Sequence, residues 1–205
     1  TTMNKSFSRR LCLACLLWVG LLVMPLGAGA QRDFRIMTYN VENLFDTLQS
    51  HRYEDVDFTP AGSHRWNTSR YWKKLGQLAR VIAAAGGASP VDVVGLVEVE
   101  HAGVVNDLLK NTSLARLGYD FRITCGKDAR GINVALLFQP ERFRPYHVQH
   151  LHFDFTHNEP ALRDALLVEG VVPTGDSLSL FLVHFPSRRG GVAASELRRR
   201  KAAQG

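Results

Sequence analysis

The stretch VDVVGLVEVE, Val91 to Glu100, is apolar for most of its length and then ends in two carboxylates, Glu98 and Glu100. A strand buried on both faces delivers its functional side chains at the carboxyl end, where loops open a crevice. An earlier strand-like segment, DFRIMTYN, closes on Asn40. If the two are parallel neighbours, the Asn40 carboxamide and the Glu98 carboxylate lie side by side as hard oxygen ligands. Mg²⁺ suits such a place, because it keeps several waters and takes one or two protein carboxylates; Mn²⁺ and Ca²⁺ are the alternative occupants. The plainer reading of Asn40 is an Asx turn at a strand end. By a period of two, Glu100 shares the face of Glu98 and belongs to the rim of the same site.

A second set of chemistry-bearing residues comes late in the chain, where His184 ends a strand just before PSRRGG. Histidine there suits proton transfer near neutral pH. Arg188 and Arg189, with Gly190 and Gly191, either grip phosphate or form a solvated turn. The segment YHVQHLHF puts His150 and His152 on one strand face with His147 close by, a spacing that could bind zinc. A half-exposed strand also alternates this way, and no acidic or cysteine residue is adjacent, so these histidines are read as structural.

The elements that must position these residues follow from periodicity. Asp33 to Asn40 reads as a strand, followed by a long polar and aromatic loop. Asn67, Thr68 or Ser69 can cap a helix whose Trp72, Leu75, Leu78, Ala79 and Ile82 recur at helical spacing, and Gly86 and Gly87 stop it. Val91 to Val97 is a continuous apolar run, as in a sheet covered on both faces. A short helix over Val104 to Lys110 precedes strands at Asp120–Thr124, Asn133–Phe138, Phe143–Phe153, Leu162–Val172 and Leu178–His184. QPER and PTGD mark turns between them, and a further helix begins at Ala193. The composition suits one α/β or α+β domain.

Residues 1–30 carry a basic leader, the apolar LCLACLLWVGLLVMPLG and a small-residue AGA. This pattern predicts a secretory signal peptide, with residues 31–205 exported to a periplasmic or extracellular space. A retained anchor needs about 20 apolar residues and is the alternative; after cleavage no stable membrane association is expected. Cys12 and Cys15 would leave with the leader, so Cys125 alone remains and no intrachain disulfide forms. Of the net charge of +6, three charges sit in the leader at Lys5, Arg9 and Arg10. The terminal Arg198, Arg199, Arg200 and Lys201 read as a solvated helix face, so charge alone makes no case for nucleic acid.

The pieces TYNVENLFD, GLVEVE, RGINVALLF and VHFPSRRGG resemble successive motifs of the endonuclease/exonuclease/phosphatase superfamily, the deoxyribonuclease I-like metal-dependent phosphoesterases. They occur in family order from Asp33 to about Ala203. The resemblance implies a deoxyribonuclease I-like α/β sandwich and an Mg²⁺-dependent phosphoesterase, most naturally a nuclease that hydrolyses phosphodiester bonds of nucleic acid by in-line attack of water. It implies that Glu98 ligates the metal with help from Asn40, and that His184 stands at the scissile phosphate. Arg130 and Asn133 would line the cleft, Arg163 in LRDALLVEG would lie near the phosphate, and Ser187 and Arg188 would join them in binding substrate. A phosphatase or a sphingomyelinase-like lipid phosphodiesterase fits the same motifs.

Two departures from the family pattern stand out. Relatives commonly read GIDVALLY where this chain has GINVALLF, so Asn133 replaces an aspartate. The family's Asp-x-Asn strand and its final Asp-His pair would lie beyond Gly205. The expectation is therefore an incomplete, C-terminally truncated domain whose 205 residues alone turn over little, or act only in binding.

Overall fold

The computed structural model describes residues 32–126, 128–152 and 163–185, with 192, 196, 199 and 200 beyond them. The proposed leader, the last residue of the strand expected over Phe143–Phe153, the first residue of that expected over Leu162–Val172, the segment with Ser187, Arg188 and Arg189, and the helix start at Ala193 lie outside the described residues. Thr1–Asp33 and Phe34–Gly205 are separate units, and all elements below belong to the second.

Among the described residues, nine elements follow in chain order: strand β1 (Ile36–Leu44), helix α1 (Thr68–Gly86), β2 (Val93–Val99), α2 (Ala102–Lys110), β3 (Asp120–Ile123), β4 (Asn133–Phe138), β5 (Arg144–Leu151), β6 (Ala165–Val171) and β7 (Ser177–Leu182). Short 3₁₀ turns occupy Val56–Phe58 and Ser113–Arg116. The first four strands form one sheet in the order β1-β2-β4-β3, and the last three form another in the order β5-β6-β7. β1 and β2 are parallel, with Met37 opposite Val94 and Tyr39 opposite Leu96, as a strand-helix-strand crossover requires. The remaining pairings are antiparallel.

The continuous apolar run of β2 has a simple cause, since both of its faces are covered. Val94 and Leu96 pack with Leu75, Leu78 and Ile82 of α1 and with Val105 and Leu108 of α2. Val93 faces the other way, against Leu136 of β4 and Leu166, Val168 and Leu182 of the second sheet. The sheets approach so closely at Gly95 that an added Cβ would stand 3.2 Å from Leu182 Cδ2. The helix over 68–86 begins where its cap predicts: the Asn67 side chain accepts from Arg70 N at 3.1 Å. No described helix is long and apolar enough to cross a membrane.

Several boundaries differ from the sequence expectation: the strand expected to end on His184 stops at Leu182, and the largest difference is in β1. β1 does not stop at Asn40 but continues to Leu44 across a register shift, and β2 shifts against β4 between Val97 and Val99. Val94 and Leu96 face the helices, and so does Val99; the alternation therefore slips by one residue at Glu98. A period-two extrapolation could not place Glu100 on the face of Glu98, because the strand is bulged between them.

Candidate active site

The bulge builds the site. Glu98 has φ 68°, and across the strand pair Glu42 and Asn43 have φ 54° and 60°. Non-glycine residues in the left-handed region are uncommon, each costs on the order of 1–3 kcal/mol, and they gather where surrounding structure holds them for function. Their effect is to aim three donors at one carboxylate. Asn40 Nδ2 donates to Glu98 Oε1 at 3.3 Å, and Asn43 N donates to Oε2 at 3.0 Å. His184 Nε2, from just beyond β7, stands 3.4 Å from Oε1. Asn40 Oδ1 meanwhile accepts from Glu42 N at 2.8 Å. Asn40 is thus both an Asx turn and a partner of Glu98: its nitrogen serves the carboxylate as a donor, and its oxygen accepts one backbone N–H, which leaves a second lone pair.

Behind His184 runs a chain of polar contacts. Arg163 Nη1 lies 2.8 Å from His184 Nδ1, and Arg163 Nε donates to Asp128 Oδ2 at 3.1 Å. A guanidinium only donates, so Nδ1 must accept and the ring proton sits on Nε2, directed at Glu98. Burial and then the Arg163 charge lower the His184 pKa, which favours the neutral ring. Asp128 also caps its own turn, accepting from Arg130 N at 2.9 Å. Arg130 Nε lies 3.9 Å from Asp128 Oδ1, which sets a second guanidinium beside the first.

Asn133 belongs to this neighbourhood in a different way from the sequence expectation. It is 5 % exposed, and its amide is filled by the protein. Nδ2 donates to the carbonyls of Glu100 at 2.6 Å and Gly131 at 3.1 Å, while Oδ1 accepts from Thr124 Oγ1 at 3.1 Å and Gly126 N at 2.9 Å. Two donors and two acceptors are all an amide has. Asn133 therefore ties β2, β4 and the loop after β3 together and leaves no polar atom for substrate.

The charge of Glu98 is what a cation would answer. Within hydrogen-bonding distance it meets only an amide, a backbone N–H and an imidazole among the described residues, all neutral. Its side chain keeps 17 % exposure. A hard oxygen donor that Lys74 and Arg163 approach without touching, among the described residues, fits a divalent ion that retains most of its waters.

A second group, Asp46, Glu100 and His101, also brings three possible ligand atoms within 4.8 Å of one another. The histidine argues against a metal there. His101 Nδ1 accepts from Gly103 N at 2.9 Å to cap α2, which places the ring proton on Nε2, 3.3 Å from Asp46 Oδ2 and 3.7 Å from Glu100 Oε2. With that proton in place Nε2 has no lone pair to give. Burial pushes the Glu100 carboxyl up to about 7; its bond from Asp46 N works against this and the Asp46 charge adds to it. The group reads as a hydrogen-bonded brace between the β1 loop and α2.

His152 carries a correction of a smaller kind. An acidic partner was not apparent beside it in sequence, yet Asp164 Oδ2 lies 2.8 Å from its Nδ1, and Asp164 is nearly fully buried. The antiparallel register of β5 and β6, with Leu151 opposite Ala165, makes them neighbours.

The two facing sheets, with helices on the outer side of the first and a carboxylate, an amide and a histidine at the strand ends, define a deoxyribonuclease I-like fold. Residues 35–205 match the Endonuclease/Exonuclease/phosphatase family, and the chain belongs to that family, whose members are hydrolytic phosphoesterases. No curated protein matches it in sequence. Among solved structures it is similar to humanized D. rerio TDP2, at TM-score 0.52 and 18 % identity over 82 % of this chain and 56 % of that one. The 2',3'-cyclic phosphatase ANGEL2 aligns at TM-score 0.53 and 19 % identity over 82 % and 44 %. A mannosyl-6-phosphatase of Bacteroides thetaiotaomicron aligns at TM-score 0.54 and 14 % identity over 84 % and 58 %. At these identities the likeness is one of fold, and the chain spans about half the length of the structures it matches.

Asp128 and Asn43 were not found from sequence. Asp128 lies two residues before Arg130, just outside the quoted RGINVALLF. Asn43 lies inside the quoted TYNVENLFD, but its contribution is a backbone N–H, which no residue type announces.

Proposed function

We propose that the chain is the amino-terminal part of an exported, divalent-metal-dependent phosphoesterase that hydrolyses phosphodiester bonds, with nucleic acid as its substrate. The observation that carries this is the convergence of Asn40, Glu98 and His184 on one point, with two arginines behind the histidine. D. rerio TDP2 has been crystallised with a single-strand DNA product, which supports the choice of substrate by analogy of fold.

Glu98 would hold the ion, Mg²⁺ by preference, and a bound ion there supplies Lewis-acid polarisation of a phosphoryl oxygen. Asn40 and Asn43 fix the carboxylate so that its orientation costs nothing when substrate arrives. His184 presents an N–H, and a non-bridging or leaving oxygen of phosphate is the natural acceptor once substrate stands beside Glu98. Arg163 keeps that proton on Nε2 by occupying Nδ1, and Asp128 keeps Arg163 in place. Arg130 and Arg163 together favour an anion, since phosphoryl transfer is catalysed largely by positioning and by fixed charge. Ser187 and Arg188, next along the chain from His184, are proposed to bind the substrate phosphate.

Cleavage of supercoiled plasmid and of a bis-nitrophenyl phosphate by a longer chain that carries the family's remaining motifs tests the reading, the 205-residue form being expected to turn over little. Turnover should require Mg²⁺ or Mn²⁺, vanish with Glu98→Gln, and fall by about 10²–10⁴-fold with His184→Ala, the usual weight of a proton-transfer group. Activity that survives EDTA would refute it. A nitrophenyl monoester run in parallel covers the phosphomonoesterase reading, for which ANGEL2 and the mannosyl-6-phosphatase supply the analogy. Residues 1–30 are proposed as the export signal, and N-terminal sequencing of the secreted protein should then begin at Gln31.

A further inference from the structure

Lys74 stands on α1 and has been given no role above, yet its ammonium reaches the end of β1. Nζ donates to the carbonyl of Glu42 at 2.5 Å and to that of Asn43 at 3.3 Å. It also lies 5.6 Å from the centroid of the Trp66 ring, which is itself tied down by Nε1 donating to Phe45 O at 3.0 Å. Glu42 and Asn43 are the two left-handed residues opposite Glu98. In a regular strand their carbonyls would point to opposite sides; here both turn to one cation.

That turn has a consequence on the other side of the peptides. With Glu42 and Asn43 left-handed, the Asn43 N–H is free of the sheet ladder and donates to Glu98 Oε2. Neither residue is glycine, so the conformation needs an outside hold. A charge-assisted pair of hydrogen bonds is such a hold, and the aromatic face of Trp66 adds cation–π attraction on the same nitrogen. No other described side chain donates to either carbonyl.

We propose that Lys74 is a positioning residue for the metal-binding carboxylate: its ammonium clamps the Glu42 and Asn43 carbonyls and so keeps the Asn43 N–H on Glu98. The role of Glu98 as ion ligand rests on the function proposed above; the clamp itself does not. Burial lowers the Lys74 pKa and the charges of Glu42 and Glu98 work in the other direction, which agrees with an ammonium drawn partly out of water to make these contacts. Methionine at this position would keep the stem and the packing on Trp66 and remove the three donors.

Residue-resolved amide hydrogen exchange on the full chain tests the clamp without reference to turnover. In Lys74→Met, exchange at the Asn43 amide should accelerate by about tenfold or more, as expected for a local opening, while the buried α1 amides of Leu78 and Ile82 keep their rates. Lys74→Arg, which retains a cation and its donors, should fall between the two. An unchanged Asn43 rate would overturn the proposal, and so would a uniform acceleration that includes α1, which is general destabilisation. An arginine variant no slower than methionine would equally count against a cationic clamp. Ion titration of Glu98→Gln is the separate check on the functional reading: ion binding that persists there refutes the ligand assignment and leaves the exchange result standing.

Discussion

At the scale of single residues, Asn133 shows how much a one-atom difference decides. Where the motif it resembles has aspartate, this chain spends the amide nitrogen on two carbonyls, those of Glu100 and Gly131. Asn133→Asp would set a buried carboxylate oxygen against both, and the loss should be about 1–3 kcal/mol of stability, read by urea denaturation. A midpoint that does not move would mean that the turn after Gly131 rearranges. Tyr71 gives a pH-dependent case. Burial first, and then its bond to Asp107 Oδ2 at 2.8 Å, raise the phenol pKa well above its ordinary 10.0. The unfolded chain therefore ionises first, so this contribution is whole below pH 10.0 and is lost as pH rises beyond it. Tyr71→Phe should lower stability at neutral pH by about 1 kcal/mol and flatten the alkaline limb of a melting-temperature profile. The roles of Asn133 and Tyr71 were hidden in the sequence for one reason: their partners come from elements up to 36 residues away.

At the scale of elements, hydrophobic period and turn chemistry were enough to find the strands and helices, because β2 is apolar on both faces and α1 has one apolar stripe with an asparagine at its start. They were not enough to find the bulge. Glu42, Asn43 and Glu98 have left-handed backbones without being glycine, so no residue type announces the slip, and the face of Glu100 could not be read. The histidine and its supports were equally opaque, since Arg163 is 35 residues from Asp128 and 21 from His184. Close approach of the two sheets leads to a test at this scale. Gly95→Val would drive branched methyls toward Leu182, whose Cδ2 already stands 3.2 Å from an added Cβ, and overpacking of this kind costs about 1–3 kcal/mol. A Gly95→Val protein as stable as the parent would show that the sheets can part without loss.

At the scale of the whole molecule, the parallel pair β1 and β2 sets the amide beside the carboxylate, and the packing of the second sheet on the first brings His184 to the same place. Neither sheet alone makes the site. This part of the argument was legible in outline, because the motif order resembled a known superfamily; which carboxylate stands ready for the ion was legible only in position and not in surroundings. The structure separates the two candidates physically: Glu98 faces neutral donors and solvent, whereas Asp46 and Glu100 share a histidine proton.

The most direct measurement is calorimetric titration of Mg²⁺ and Mn²⁺ into the parent chain and into Glu98→Gln and Asp46→Asn, each verified as folded. The structure predicts saturable binding in the parent and in Asp46→Asn, and its loss in Glu98→Gln. Binding that survives Glu98→Gln and disappears with Asp46→Asn would move the ion to the other cluster and contradict the account.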